Sequence, residues 1–509
     1  MRIVLASSEA VPFSKTGGLA DVATALAKAL AAAGHDVSLI VPHYPMISAA
    51  RGVDPETFQP TGLSVDVPVG GKQITGSLLK TSLPDSSVSI YLVDQPAYFA
   101  RGQLYTENGS DYPDNCERFS FFSRAVLEAA RLLDLRPDII HANDWQTALV
   151  PAVLEIEYGD VAGFEETASV ITIHNLAFQG QSWHWDMLQT GLDWEYFNWR
   201  QLEFFGDLNL LKGGLVFADK ITTVSPTYAE EIQTEKFGCG LHGVLENRRD
   251  DLVGILNGID PTIWNPATDP ALAKNYTADD FEIGKAACKA DLQKRLGLPQ
   301  RDDVPLFGMI SRLADQKGFD ILIESAEELL SADLQFCVLG TGDAAYEAAL
   351  RNLASRFPKQ VSATIGFDET LAHVIEAGSD FYLMPSRYEP CGLNQMYSLA
   401  YGAVPIVTPV GGLADTVVDC TPGNIKNETA TGLVLAAYDG GELVRKVTEA
   451  VAIYANRPDW ENLVRNGMRR DWSWTRSAQA YVDLYEQAIT SRLSPLETAN
   501  AERKETIKR

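Results

Sequence analysis

A six-residue run recurs almost unchanged near both ends of the chain, as Gly17-Gly18-Leu19-Ala20-Asp21-Val22 and as Gly411-Gly412-Leu413-Ala414-Asp415-Thr416. Each copy follows a short apolar run and opens a helix-like stretch. At such a junction, exposed backbone N–H groups and the positive end of the helix dipole can receive an anion. Two such turns in one chain point to two facing nucleotide-fold halves.

The periodicity supports that division, because 509 residues exceed what one core holds. Strand-like runs at Ile3-Leu5, Val37-Val41, Ile90-Val93, Ile139-His141, Val170-Ile173 and Ile221-Val224 alternate with helical patterns such as Leu19-Ala33. Alternation of this kind predicts a mostly parallel sheet covered on both faces. The stretch 257–301 is rich in Pro, Asp, Ala and Lys and reads as a linker or lead-in helix. A fresh series begins at Leu306-Ile310 and continues through Phe336-Leu339, Ala363-Ile365, Phe381-Met384, Pro405-Val407 and Leu433-Leu435, with helices between at Phe319-Leu330, Ala344-Arg356 and Leu393-Tyr401. The predicted fold class is therefore α/β, with two Rossmann-like doubly wound domains facing across a cleft. The first covers residues 1–256 and the second 257–477, and residues 495–509 form a polar tail.

Charge and cysteine usage narrow the function. A net charge of −26, from 68 acidic and 42 basic residues, argues against nucleic acid as partner, so an anionic ligand must meet a local basic pocket. The six cysteines lack any Cys-x-x-Cys spacing and read as free thiols rather than zinc ligands or a redox pair. Met1 leads directly into a strand, and no apolar run approaches the ~20 residues a bilayer requires. The expectation is a cytoplasmic enzyme, or the mature form of an organellar one such as a plastid-stroma enzyme, with no membrane partner.

In open parallel sheets ligands bind beyond the carboxyl ends of the strands, and the chemically distinctive residues lie at such positions. After the first strand, Lys15 supplies charge beside Gly17 and Gly18, although an ordinary glycine turn with a surface lysine also accounts for this segment alone. After Leu306-Ile310, Arg312 and Lys317 fit a diphosphate, the first as a planar fork and the second as a point charge. Read in isolation they also fit a solvated basic loop. After Phe381-Met384, Pro390 and Gly392 shape a turn that holds Glu389 at the strand mouth, where a carboxylate accepts sugar hydroxyls or stabilises positive charge. Glu389 also fits a helix N-terminal acid. In the first half, His141-Ala142-Asn143-Asp144-Trp145 and Thr172-Ile173-His174-Asn175-Leu176 suit a carbohydrate, whose hydroxyls meet polar side chains while an indole face stacks on C–H surface. A buried capping histidine is the alternative for either His and the stronger reading for His141. No third ligand completes a zinc site, so the metal assignment is none, and no cofactor is expected. Gly340-Thr341-Gly342-Asp343-Ala344-Ala345 loosely matches a dinucleotide fingerprint but lacks the ribose-binding acid that should follow. There is no P-loop and no Asp-x-Asp, so the basic residues would have to neutralise a diphosphate.

The runs Lys15-Thr16-Gly17-Gly18-Leu19-Ala20-Asp21-Val22, Thr172-Ile173-His174-Asn175-Leu176-Ala177-Phe178-Gln179-Gly180, Leu256-Asn257-Gly258-Ile259-Asp260 and Glu389-Pro390-Cys391-Gly392-Leu393 closely resemble the bacterial glycogen and plant starch synthases, over residues 1 to about 488. The resemblance implies a two-domain retaining glycosyltransferase of the GT-B type. Such an enzyme moves glucose from ADP-glucose to the non-reducing end of an α-1,4-glucan, and a final helix, 478–494, crosses back to the first domain as the cleft closes over the donor. It further implies that Lys15 and Gly18 contact the diphosphate, that Arg312 and Lys317 stabilise the departing ADP, and that Glu389 lies beside the transferred glucose. His174, Asn175, Asn257 and Asp144 would line the sugar pocket, with the His174 main-chain carbonyl facing the oxocarbenium-like centre. Cys391, Gly392 and Leu393 would bind the nucleotide through their amides, and Phe367 would stack on adenine.

Three positions depart from that pattern. Met396 stands where many retaining enzymes of this architecture place a second Glu, so no ribose-binding acid is assigned. Phe367 replaces a frequent Tyr, which keeps stacking and loses a hydroxyl. Pro409-Val410 precede the second glycine run where a basic or polar residue is common, which leaves Gly411 and Gly412 open to a purely structural role. ADP-glucose and UDP-glucose are not distinguished, since both diphosphates meet the same cations, and oligomeric state is open. The alternatives are another two-domain nucleotide-sugar transferase, a nicotinamide-dependent oxidoreductase using the Gly340 loop, and a non-catalytic sugar-nucleotide or glucan sensor.

Overall fold

The computed structural model describes residues 1–107 and 109–507. The chain divides into two compact units, one formed by Met1–Asn257 with the segment from Trp474 onward, the other by Gly258–Ser473.

The sheet of the first unit has nine strands: β1 Arg2–Ala6, β2 Asp36–Pro42, β3 Gln59–Val69, β4 Lys72–Ser82, β5 Ser89–Asp94, β6 Ile139–Asn143, β7 Ala168–Ile173, β8 Lys220–Thr223 and β9 Leu252–Gly254. Their spatial order is β9-β8-β7-β6-β1-β2-β5-β4-β3. Seven strands run parallel, and every residue of β6 and β7 is buried, which is why these strands read as unbroken apolar runs. The sheet departs from the expected pattern at its edge, where β3 and β4 form an antiparallel hairpin turned by Gly70 and Gly71, both at positive φ. A two-residue turn with two such φ values matches the strand twist, and only glycine enters it without strain.

The helix Gly18–Ala32 buries Val22, Leu26 and Leu30 on this sheet. The final helix, Trp474–Ile507, joins the same core through Trp474, Tyr481, Tyr485 and Ala488. It continues through the stretch expected as a polar tail as far as Ile507, and residues 508–509 of that tail lie outside the described residues.

The second unit carries a wholly parallel six-stranded sheet: β10 Leu306–Ile310, β11 Gln335–Gly340, β12 Val361–Ile365, β13 Phe381–Met384, β14 Val404–Val407 and β15 Leu433–Val434, in the order β12-β11-β10-β13-β14-β15. The lead-in stretch contains a helix, Phe281–Arg295, anchored by two buried lysines. Lys285 donates to the carbonyls of Ala377, Ser379 and Tyr401, and Lys289 pairs with Asp380 at 2.6 Å. The helix expected over 319–330 is interrupted at Ser325, giving Phe319–Glu324 and Ala326–Leu329. In both sheets the strand order reverses beside the first strand of the unit, β1 or β10, the switch point where such sheets leave a crevice.

Candidate active site

In the first unit the turn after β1 is built around a carboxylate. The helix Gly18–Ala32 has no capping side chain, and Thr16, Gly17 and Gly18 are exposed ahead of it, as an anion-receiving N-terminus requires. Lys15 Nζ lies 2.8 Å from Asp21 Oδ1, which tethers the ammonium over the first turn of that helix. Glu9, only 2% exposed, holds the turn in place. One of its oxygens accepts the Thr16 amide at 2.5 Å, and the other accepts the Thr16 hydroxyl at 2.7 Å and the Tyr105 hydroxyl at 2.6 Å. Sequence reasoning passed over Glu9, whose only signal is an acid in the loop just past an apolar strand.

The mouths of β1, β6 and β7, neighbours in the sheet, are laced together. Asp144, buried and at φ 56°, accepts the His174 amide at 2.7 Å, so it fixes the main chain at His174 and Asn175. Burial pushes the Asp144 carboxyl up to about 7. His174 Nε2 lies 2.9 Å from Asn143 Oδ1, and Asn143 in turn donates its amide to the Ala6 carbonyl at 3.0 Å. With the Asn143 oxygen accepting, Nε2 of His174 carries the hydrogen, and burial holds the imidazole neutral with its pKa down to about 3. Asn175 Oδ1 turns back to accept the Ala177 amide. Asn257 closes the first unit, 6% exposed, with its Oδ1 lacking a hydrogen-bond partner among the described residues.

His141 is the structural histidine its alternative reading describes, wholly buried between the Tyr485 hydroxyl at 2.8 Å and the Thr172 hydroxyl at 2.6 Å. Trp145 packs edge-on against Phe119 at 4.9 Å and under Gly180, where an added Cβ would lie 2.5 Å from the indole. Its ring belongs to the packing that fixes the 174–180 loop.

In the second unit, two strand-end loops are bonded to each other. Arg387 N donates to the Gln316 carbonyl at 2.8 Å, and Gly318, at φ 81°, lets its backbone approach Pro385 so closely that a Cβ would stand 2.1 Å from that carbonyl oxygen. This contact brings Lys317 Nζ to 2.5 Å from Glu389 Oε2, with Ser386 donating to the same oxygen at 3.0 Å. Glu389 is 5% exposed and Lys317 half-buried, so the carboxylate end of the pair is sealed at the strand mouth. Arg312 is exposed on the same loop, its guanidinium 3.2 Å from Gln316 Oε1.

Cys391 is buried, Gly392 turns at φ 71°, and Leu393 precedes the short helix Asn394–Ala400. Met396 is completely buried in that helix, which removes it from any ribose contact. Phe367, on the loop after β12, is 83% exposed. The second glycine run packs against the Glu389 loop: a Cβ on Gly411 would lie 1.9 Å from the Glu389 carbonyl oxygen, and one on Gly412 would lie 2.1 Å from that of Cys391. The Gly340 loop is likewise a packing device, since Cβ atoms at Gly340 and Gly342 would strike the carbonyls of Ser311 and Leu313 at 2.0 and 2.3 Å. Those glycines support the Arg312 loop. Among the described residues, no group of three or more His, Cys, Asp or Glu side chains is arranged to hold a metal ion.

The candidate residues are thus divided between the two units. Lys15, Gly18, Asp144, His174, Asn175 and Asn257 belong to the first, and Arg312, Lys317, Phe367, Glu389, Cys391, Gly392 and Leu393 to the second. Comparison with known proteins agrees with this division. Residues 2–247 match the starch synthase catalytic domain, and residues 293–467 match the group 1 glycosyl transferases. A glycogen synthase of Rhodopirellula baltica is 45% identical over 96% of this chain and 98% of its own. The catalytic domain of starch synthase IV from Arabidopsis thaliana, solved bound to ADP and acarbose, superposes with a TM-score of 0.87 at 33% identity, covering 96% of this chain and 99% of that one. Sucrose-phosphate synthase from Thermosynechococcus elongatus shares the fold alone, with a TM-score of 0.59 at 19% identity over 96% and 99% of the two chains. The two domain matches and the near full-length identity together place this chain in the bacterial glycogen synthase and plant starch synthase family of glycosyltransferases, with the GT-B fold.

Proposed function

We propose that the protein transfers glucose from ADP-glucose to the non-reducing end of an α-1,4-glucan, with retention of configuration. The observation that carries this reading is the Lys317–Glu389 pair, its carboxylate buried, set with Arg312 on loops cross-bonded at the mouth of the β10 and β13 strands. A departing nucleoside diphosphate gains negative charge, and fixed cations in a water-poor site stabilise it without reorganising. Lys317, tied to Glu389, fills that role, Arg312 presents a second, exposed guanidinium on the same loop, and in the first unit Lys15 offers a cation next to the uncapped helix N-terminus. Glu389, which orients Lys317, stands beside the transferred sugar. Asp144 holds the His174 main chain so that its carbonyl faces the electron-poor anomeric carbon, and the neutral His174 adds no repelling charge. The remaining contribution is positional: the acceptor hydroxyl must be aligned with that carbon while water is kept away.

ADP as the nucleotide is supported by the ADP-bound Arabidopsis relative, in which the whole catalytic domain matches. A cytoplasmic location is supported by the bacterial relatives, and no described helix is long and apolar enough to cross a membrane. Incubating the protein with glycogen and radiolabelled ADP-glucose or UDP-glucose tests the reading. Label should enter glycogen from ADP-glucose at a kcat/KM at least tenfold above that from UDP-glucose. Equal or reversed efficiencies would overturn the donor assignment, and no incorporation from either would overturn the activity.

A further inference from the structure

The segment after the His174 loop carries a row of aromatic rings that the transfer chemistry does not use. Gln181–Ser182, Glu203–Phe204 and Asp207–Asn209 form a small antiparallel sheet, and the connection between its strands holds Trp183, His184, Trp185, Trp194 and Phe197. Trp183 is 60%, Trp185 50% and Trp194 41% exposed. These side chains nevertheless touch one another in sequence: Trp183 to Trp185 at 6.4 Å, Trp185 to Trp194 at 5.3 Å and Trp194 to Phe197 at 5.1 Å between centroids. Large apolar surface left in water costs free energy, and contiguous patches of it mark contact sites. Here the rings brace each other into a ledge while keeping outer surface exposed.

We propose that this ledge binds the acceptor glucan at several sugar units from its growing end. The inference rests on the transferase reading above and extends it. Three observations favour a neutral sugar chain as occupant. First, the ledge is fastened to the sugar-facing loop: Asn209 donates to Gln179 Oε1 at 2.6 Å, the Leu211 amide donates to the Gln179 carbonyl at 3.0 Å, and Gly180 sits on Trp145. Second, carboxylates stand among the rings (Asp186, Asp193, Glu195), the last two exposed, offering hydroxyl-binding groups beside flat faces that accept the C–H side of a pyranose. A dry protein–protein core is depleted of such charges. Third, a second copy of a chain of net charge −26 would bring like charges together at an acidic patch, whereas a glucan carries none.

The test is steady-state transfer by the full chain carrying Trp183→Ala and Trp185→Ala together, assayed on glycogen and on a maltotriose-sized acceptor. The expected result is a KM for glycogen raised at least fivefold, with kcat on the short acceptor and KM for ADP-glucose unchanged. An unaltered KM for glycogen overturns the proposal. So does a fall in transfer on both acceptors alike, or a change in sedimentation coefficient without a change in glycogen KM, which would assign the rings to self-association. Wild-type transfer on the short acceptor reports separately on the transferase reading, so the two cannot fail indistinguishably. The conservative variant carrying Trp183→Phe and Trp185→Phe should recover most of the glycogen KM, which a fold defect would not.

Discussion

At the residue scale, the candidate site depends on carboxylates that orient other groups. Glu9 spans the Thr16 amide and hydroxyl, and charge-assisted bonds of this kind contribute about 2 kcal/mol each. Glu9→Gln should therefore raise the KM for ADP-glucose about tenfold and also lower the unfolding midpoint, because Glu9 is buried, and initial-rate kinetics at a temperature where the variant is folded, beside thermal unfolding, check this. Protonation supplies a second prediction. His141 and His174 are each held down to about 3 by burial, so the folded state refuses protons that the unfolded state takes up below about pH 6.5. Their contribution to stability is present above that pH and is lost as pH falls toward 3. Asp144, pushed up to about 7, acts oppositely: its contribution is present below about pH 4 and is lost as pH rises through 7. Between about pH 4 and 6.5 the unfolded state holds two extra protons from the histidines and one fewer from Asp144. These three groups therefore lower stability by about 1.4 kcal/mol for each pH unit of acidification. Urea unfolding across this range should give a flatter dependence for His141→Gln, and an unchanged slope would remove His141 from the balance.

At the element scale, the parallel strands were legible because two-sided burial writes them as apolar runs, and the candidate site residues stood out because they follow those runs. Lys15, Arg312, Lys317 and Glu389 all occupy loops after strands read directly from sequence. The β3–β4 hairpin was missed although Val65, Val67 and Val69 alternate buried with exposed neighbours and Gly70-Gly71 is a strong turn signal. The break at Ser325 carries no Gly or Pro and left no local mark. Glycine roles were only half readable: a glycine that receives an anion and one that admits another backbone look identical in sequence. Gly411 belongs to the second kind. Gly411→Ala places a Cβ 1.9 Å from the Glu389 carbonyl oxygen at φ 43°, so the loop bearing Glu389 must shift. A displacement on the order of 1 Å at a catalytic group costs about a hundredfold in rate, so kcat should fall on that scale. A variant with wild-type kcat would show that the loop tolerates the shift.

At the scale of the whole molecule, the last helix belongs to the first unit despite following the second in sequence. Trp474, Tyr481 and Tyr485 lie in the core with Leu5, Leu39 and Ile90, and Tyr485 bonds the buried His141. Truncation after Ser473 strips several large side chains from that core, each contributing about 3 kcal/mol, which exceeds the margin of a typical domain. The truncated chain should be insoluble or lack cooperative unfolding in its first unit, and a soluble, active product would contradict this packing. Function at this scale requires cations to offset the charge left on the nucleotide when glucose departs. The most direct measurement is kcat for Lys317→Ala with ADP-glucose and glycogen both saturating, alongside its unfolding midpoint. The account predicts a fall of about a hundredfold at a temperature where the variant is folded, equivalent to ~3 kcal/mol of lost transition-state stabilisation, with a lowered midpoint because Glu389 is left buried without its cation. A kcat equal to that of the unaltered protein would contradict it.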